Sequence, residues 1–432
     1  MSLPRVAIVG GGLSGCIAAL VMRSRGNVRP VILDASKRSV GGRLLGGRHA
    51  DSGLQFMRPT DPRFAAVMQL LVNEKLAAPW NGRFGLLGSM GGGFLPREVI
   101  GDSAFGKMSR ENADNEADDN GMDFCGLNGS VGQKQLLYVG TPSNGHALSG
   151  LCQTAGVEVI LDAKVTSASL GNDGKWHLDA GEQPPFDAVL IATHDASFAA
   201  DTVRSAVLPT VTDDPEVHAR LSGLADALQA QRDERTSAVF SWSGYFAKGF
   251  SDELPFDAVA TPSSSVIHFL ARDASKPGRP AVVDLPGKDG DSRQAELWTA
   301  VSTPAFGKKM LAAASLASGE SGDSDKGGST AAKATELMTN EISQMLTTFY
   351  AKGGRSPPVP LHAAAKRWGA GFAAGTLDLN EECVGLEPWR LAIAGDFISG
   401  AASPAESAAL SGMDAAERIS KWFEPPSPSS KL

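Results

Sequence analysis

The stretch Val6-Ala7-Ile8-Val9-Gly10-Gly11-Gly12-Leu13-Ser14-Gly15 constrains this chain more than any other. Arg5–Val9 is a short apolar run that reads as a buried strand. Leu13–Arg25 carries apolar residues at helical spacing and ends at Gly26. Between them Gly10, Gly12 and Gly15 fit G-x-G-x-x-G. In that pattern the first glycine allows a tight turn and the second lets backbone approach a pyrophosphate. The third lets helix and strand pack closely. The helix start offers free N–H groups and the positive end of its dipole to phosphate. A second apolar run, Val28–Leu33, closes at Asp34, whose carboxylate can bond a ribose 2′-hydroxyl and disfavours a 2′-phosphate. Strand, glycine turn, helix and strand make a βαβ unit, so an α/β chain with a Rossmann-like domain is expected. The plain alternative is a glycine turn that holds no nucleotide.

Bulk properties narrow the partners. At 432 residues and 42% hydrophobic, the chain can bury a large core and is expected to form two or three domains. A formal charge of -8 with no Lys/Arg block argues against sequence-independent nucleic-acid binding. The cysteines at 16, 125, 152 and 383 form no C-x-x-C pair, so neither a disulfide framework nor a metal site is expected. No signal-peptide pattern and no membrane-length apolar run are seen, which predicts a soluble intracellular protein with no membrane partner. Two segments read as mobile insertions, 109–121 (acidic) and 314–333 (Gly/Ser/Asp-rich), and 425–432 as a disordered tail. The tail ends in Ser430-Lys431-Leu432, a peroxisomal address pattern, so the compartment is cytoplasmic, or peroxisomal if that signal is read.

Further pieces of a nucleotide site lie far apart. Val40-Gly41-Gly42-Arg43 places an arginine behind two glycines, within reach of a pyrophosphate. Strands are predicted at 157–161, 165–170, 176–179 and 186–192. The apolar strand 390–394 ends in Gly395-Asp396, which suits a ribityl hydroxyl or a phosphate-bound water. Ser403-Pro404-Ala405-Glu406 reads as the capped start of a helix reaching Trp422.

With these residues in hand, the chain resembles the renalase-like FAD-dependent oxidoreductases of the flavin amine-oxidase superfamily. The segments that carry the resemblance follow in order: 51–56 (DSGLQF), 61–64 (DPRF), Trp80, 138–142 (YVGTP), 271–279 (ARDASKPGR), 298–302 (WTAVS), 366–368 (KRW) and 410–412 (LSG). The resemblance implies a discontinuous FAD domain at 1–79, 138–196 and 384–424. A substrate domain with a mixed sheet and helices takes 80–137 and 197–383. It implies non-covalent FAD held by Gly10, Gly12, Leu13, Ser14, Gly15, Asp34, Ala35, Gly42, Arg43, Gln55, Val165, Thr193, Gly395, Asp396, Glu406, Ser407 and Ala408. Ser407 stands where the family pattern has glycine.

The implied reaction takes a hydride from a small-molecule substrate, an isomeric dihydro-nicotinamide nucleotide, to flavin N5, with O2 as electron acceptor and H2O2 as product. Oxidation of an amine is the alternative, although the lysine that such enzymes commonly place near the flavin is not assignable by motif. A non-catalytic binding or carrier protein is a third reading. Because product aromaticity drives hydride loss, the catalytic candidates are orienting groups. Gln55 either bonds flavin or substrate or makes a structural bond. His268 is either an orienting group or a buried core histidine. Trp298 and Trp368 are either walls for a flat substrate or core. Arg272 and Arg279 either meet substrate phosphate or support the fold, and the role of His194 is open.

Overall fold

A computed structural model describes residues 2–46, 51–88, 93–97, 136–233, 236–286, 292–318, 328–351, 354–373, 375–377, 379–398, 400 and 403–425. Two large sheets organise it. The first has six strands in the order Val384–Leu386, Leu391–Ile393, Ala188–Ile191, Arg5–Val9, Arg29–Leu33, Glu158–Ile160. All neighbours pair in parallel except the outer pair Val384–Leu386 and Leu391–Ile393, which is antiparallel. Its inner strands are short, largely apolar and buried on both faces, as a parallel sheet under two layers of helix requires, while the edge strand Glu158–Ile160 is partly buried. On one face lie helices Leu13–Arg25, Pro62–Asn73, Asn144–Thr154 and Pro404–Lys421. On the other lie Ala196–Thr202 and Pro215–Asp233 with the hairpin Ala168–Leu170/Trp176–Leu178.

The second sheet has eight strands and is mixed. Along its path run His362–Ala373, Thr236–Ala247, Ser292–Ser302, Ile267–Arg272, Ala258–Ala260, Phe84–Leu87 and Phe94–Pro96, with Val283–Pro286 added beside Ser292–Ser302. Pairing is antiparallel apart from Ala258–Ala260 against Phe84–Leu87. Period-two alternation divides its residues. Phe240, Trp242, Leu270, Trp298 and Ala300 pack under helices Pro304–Ser318 and Gly328–Ala351. Val239, Phe269, Ala271 and Val301 point the other way, onto Phe56, Trp80 and Val139.

Two sequence readings need correction. The boundary at 196/197 falls too early, because Leu221, Ala225 and Leu228 of helix Pro215–Asp233 are buried against the first sheet. The segment 314–333 is not a continuous loop. Residues 314–318 and 328–333 extend helices Pro304–Ser318 and Gly328–Ala351, whose alanine-rich ends favour helix, and 319–327 lie outside the described residues. Residues 109–121 and 426–432 also lie outside them. Among the described residues, no helix is long and apolar enough to cross a membrane.

Helices Leu13–Arg25 and Pro404–Lys421 cross at a point that tolerates no side chain. A Cβ on Gly412 would stand 2.2 Å from the Ser14 carbonyl oxygen. Gly412→Ala should therefore cost about 1–3 kcal/mol by forcing the helices apart, measured as a lower urea midpoint.

Candidate functional site

Two glycine turns meet at the end of the first sheet. Gly10 adopts φ +104, and a Cβ there would lie 2.7 Å from the Ala192 carbonyl oxygen. At Gly15 a Cβ would stand 2.1 Å from the Gly10 oxygen, so this glycine lets helix and strand touch. Gly12 differs, since a Cβ would meet nothing within 4 Å. That glycine leaves backbone open to a ligand rather than to the protein. As N-cap of Leu13–Arg25, Gly12 gives the helix no side-chain cap, and the first turn holds no acid. The second turn locks onto the first. Gly41 N donates to the Gly11 oxygen at 2.7 Å, and a Cβ on Gly42 would be 3.2 Å from Gly12 Cα.

Asp34 closes this corner. Its carboxylate accepts from Gly11 N at 2.6 Å and from Ser36 N at 2.8 Å. Ala35 beside it is exposed, and Val165 is half-buried in the adjoining segment, where Ala163 N bonds the Asp34 oxygen at 2.9 Å. Thr193 follows Ala192 and presents its backbone to Gly10, and His194 is exposed. Leu13 and Ser14 are buried in the first helical turn.

Arg43 does not stand free behind its glycines. Its guanidinium forms a fork on Asp396, with Nη1–Oδ2 at 2.9 Å and Nη2–Oδ1 at 2.6 Å, and Nη1 also donates to the Gly371 oxygen at 3.1 Å. Gly395 N donates to Ser411 Oγ at 3.0 Å. The readings of Arg43 for pyrophosphate and Asp396 for a ribityl group thus start from a shared ion pair. Glu406 is engaged within the protein. Its buried carboxylate accepts from Thr60 N at 2.5 Å, from Asp61 N at 2.8 Å and from the Thr60 hydroxyl. A buried carboxylate must be paired, and here it ties helix Pro404–Lys421 to the start of Pro62–Asn73. Ser407 and Ala408 are buried in the next positions of that helix.

A buried charge cluster joins the two sheets. Lys276 Nζ lies 3.3 Å from both Asp51 Oδ2 and Asp273 Oδ1. Arg279 reaches Asp51 at 2.6 Å and Asp273 at 3.4 Å. None of the four side chains is more than 3% exposed. Burial pushes the Asp273 carboxyl above its usual pKa; Lys276 and Arg279 oppose this shift, and Asp51 adds to it. Gln55 belongs to the same network. Its Oε1 accepts from Lys276 at 3.1 Å and from Thr299 Oγ1 at 2.9 Å, while Nε2 donates to the Asp51 and Gly53 oxygens. Both ends of the amide are thus engaged within the protein.

The other orienting candidates divide similarly. Trp298 has no exposed surface and packs edge-on against Phe250 and Phe256, on the helix-covered face. Its neighbour Thr299 takes the opposite face and meets Gln55. His268 is buried, and burial drives its pKa from 6.5 down to about 4, so it stays neutral near pH 7. Arg272 pairs with Glu296 at 3.4 Å, and Arg279 belongs to the cluster. Trp368 does reach the junction, with Nε1 donating to the Ser52 oxygen at 2.8 Å and to Ser241 Oγ at 3.0 Å. The sequence reading passed over Asp273 and Lys276. The available signal was dense charge directly after the mostly buried strand Ile267–Arg272.

Two outcomes follow. Lys276→Met leaves the two buried acids facing Arg279 alone. It should cost about 3–5 kcal/mol at neutral pH, read by chemical denaturation. For His268 the folded pKa lies below the unfolded value. Stability is therefore full above pH 6.5 and falls toward pH 4 as the unfolded chain takes up the proton. Wild type should lose about 2 kcal/mol more than His268→Gln between pH 7.5 and 5, measured by urea titration at both values.

No protein-family model matches this sequence, and no curated protein matches it either. Solved structures do resemble it along nearly its whole length. Cyclohexylamine oxidase from Brevibacterium oxydans IH-35A superposes with a TM-score of 0.58 at 11% identity, covering 97% of this chain and 99% of that one. An oxidoreductase from Methanosarcina mazei gives 0.57 at 13%, covering 96% and 100%. Putrescine oxidase bound to putrescine gives 0.56 at 12%, covering 98% of each. At these identities the likeness establishes the fold, a Rossmann-like parallel sheet with a second mixed sheet set against it.

Proposed function

We propose that this chain is an FAD-dependent oxidoreductase. In this reading it takes a hydride from a small donor, an isomeric dihydro-nicotinamide nucleotide, with dioxygen as final acceptor. The observation that carries the reading is the paired glycine turn, where Gly12 opens outward at an uncapped helix N-terminus beside Asp34. Those groups fit a dinucleotide. The free N–H groups of helix Leu13–Arg25 suit a pyrophosphate, and the Asp34 oxygens keep lone pairs for ribose hydroxyls. Arg43 supplies a cation beside the turn, with Asp396 holding its fork in place. Hydrogen bonds and charge suffice to hold the cofactor without a covalent link.

When bound, FAD supplies the two-electron chemistry, accepting hydride and passing electrons to dioxygen to give hydrogen peroxide. The chain's own residues bind, orient and exclude water. Hydride loss from a dihydropyridine restores aromaticity and asks for no strong base. A junction whose Gln55, Thr299 and Lys276 are bonded to one another matches that demand for rigid positioning.

Lys276 favours a second reading, oxidation of an amine. It is a buried lysine at the junction, of the residue type that the resembled superfamily places near its flavin, and two of the similar structures are named for amine substrates.

The test begins with colour: the purified protein should be yellow and release flavin on denaturation. Anaerobic stopped-flow absorbance then compares 2- and 6-dihydro-nicotinamide nucleotides, the ordinary 4-dihydro forms and an amine panel. Bleaching by only the 2- or 6-dihydro isomers is the expected result. Bleaching by amines selects the second reading, and a colourless protein that takes up no FAD overturns both.

A further inference from the structure

Strand His362–Ala373 closes one side of the second sheet, and an edge strand has backbone groups that the ladder leaves unpaired. Side chains take up two of them. Ala365 N donates to Thr335 Oγ1 at 2.8 Å, and the Gly371 oxygen accepts from Arg43 Nη1 at 3.1 Å. The second bond joins the two sheets, because Arg43 lies in the glycine turn of the nucleotide-type half. The strand is shaped for this contact. It pairs with Thr236–Ala247 through Val239 opposite Trp368 and Ser237 opposite Phe372, so Gly369, Ala370 and Gly371 face Ala238 alone. Extra residues of this kind bend a strand and re-aim its backbone. Gly371 is buried, and a Cβ there would lie 2.6 Å from Val239 Cγ2. Past the bend the chain returns to the first half. The Gly375 oxygen accepts from Gln231 Nε2 at 2.9 Å, and Leu377 N donates to the Phe397 oxygen at 2.9 Å.

The Arg43 guanidinium has five N–H donors in one plane. Asp396 takes one from each Nη, at 2.9 and 2.6 Å, along the end of the fork. Gly371 takes the other hydrogen of Nη1. The Nε–H and the second Nη2 hydrogen have no acceptor among the described residues. These two form the side-on edge of the plane, the pair that matches two oxygens of one phosphate. The Arg43 side chain is 28% exposed and that of Asp396 only 4%, so the arginine is the open member of the pair.

We propose that the second sheet is part of the cofactor site. The Gly371 carbonyl is a positioning group: with Asp396 it fixes the guanidinium plane so that the Nε–H and Nη2–H edge takes one phosphate of the FAD diphosphate. This rests on the flavin reading and deepens it. Arg43 cannot turn its whole fork to a ligand, since that would strand the buried Asp396 carboxylate. The coupling runs both ways. A diphosphate on the side-on edge holds Arg43, Arg43 holds Gly371, and the edge strand is held with it. A displaced edge strand in turn loosens the diphosphate.

The test uses the full-length chain, stripped of FAD and reloaded. FAD affinity is read by quenching of flavin fluorescence, and strand opening by amide hydrogen exchange. In wild type, saturating FAD should slow exchange about tenfold in both helix Leu13–Arg25 and strand His362–Ala373. Arg43→Lys keeps the charge but not the fork, so it should raise the FAD Kd about tenfold or more. At saturating FAD this variant should keep the slowing in the helix and lose it in the strand. Gly371→Ala should also weaken FAD binding, and adding Val239→Ala should restore it, because the contact that displaces the bend is with Val239 Cγ2. If Gly371→Ala fails to fold, the exchange pattern of Arg43→Lys decides alone. Slowing of the strand that survives in Arg43→Lys overturns the proposal, as does an unchanged Kd in a folded Gly371→Ala. A chain that takes up no FAD fails the flavin reading. ADP, which carries a diphosphate, then replaces FAD in the exchange comparison, and a strand that ADP does not slow overturns the coupling.

Discussion

Four opposed charges buried in one place set the geometry of the junction between the sheets. Asp51 comes from the segment after the second glycine turn, and Asp273, Lys276 and Arg279 come from the loop after strand Ile267–Arg272. Removing any one of these ions from water costs several kcal/mol, repaid only when its partners are in register. Comparable apolar packing would often serve stability as well. The gain from ions is uniqueness, because a shift of the loop by one residue strands a charge. Segment 51–55 is thereby fixed, and with it Ser52, Gly53 and the backbone that Trp368 grips. Asn144 extends this control. Its N–H bonds Asp51 at 3.1 Å, its side chain receives Gly140 N at 2.7 Å, and its amide donates to the Leu54 oxygen at 2.7 Å.

The nucleotide-type half meets a related problem, since its sheet is assembled from sequence blocks hundreds of residues apart. Apolar burial supplies the attraction but not the register. Polar ties between remote segments supply that: Arg43 to Asp396, Gly395 to Ser411, and Glu406 to Thr60 and Asp61. Each satisfies a buried acceptor, Asp396, Ser411 or Glu406, so the last helix and the first turns settle together.

The sequence was most informative where the constraint was local. Strand Arg5–Val9 and helix Leu13–Arg25 fall on the residues expected of them, and Gly10, Gly12 and Gly15 each have a distinct backbone environment. Such features depend on a few neighbouring residues. Side-chain roles at the junction were not legible. Trp298 and Thr299 are adjacent, and alternation sends one under the helices and the other to Gln55. Which of the two faces meets the first half depends on how the sheets dock, and no period in the sequence encodes that. The irregular register between Ile267 and Phe269 adds a further shift beside His268. Lys276 was hidden for the same reason, because its partners Asp51 and Gln55 lie more than 200 residues away. The domain edge at 196/197 was missed because helix Pro215–Asp233 shows its partner only through burial.

The two helix N-termini also turn out to be unequal. Helix Pro404–Lys421 is already capped, with Ser403 Oγ accepting from Glu406 N at 3.3 Å, and it carries the buried Glu406 carboxylate in its first turn. The positive end of its dipole is therefore balanced from within, and another anion brought there would meet like charge. Helix Leu13–Arg25 has neither cap nor first-turn acid. Its free N–H groups lie beside a glycine that faces open space, so the demand for an anion is concentrated at that one end. With an acid in the first turn of one helix and none in the other, the start of Leu13–Arg25 is the better placed of the two termini for an anion.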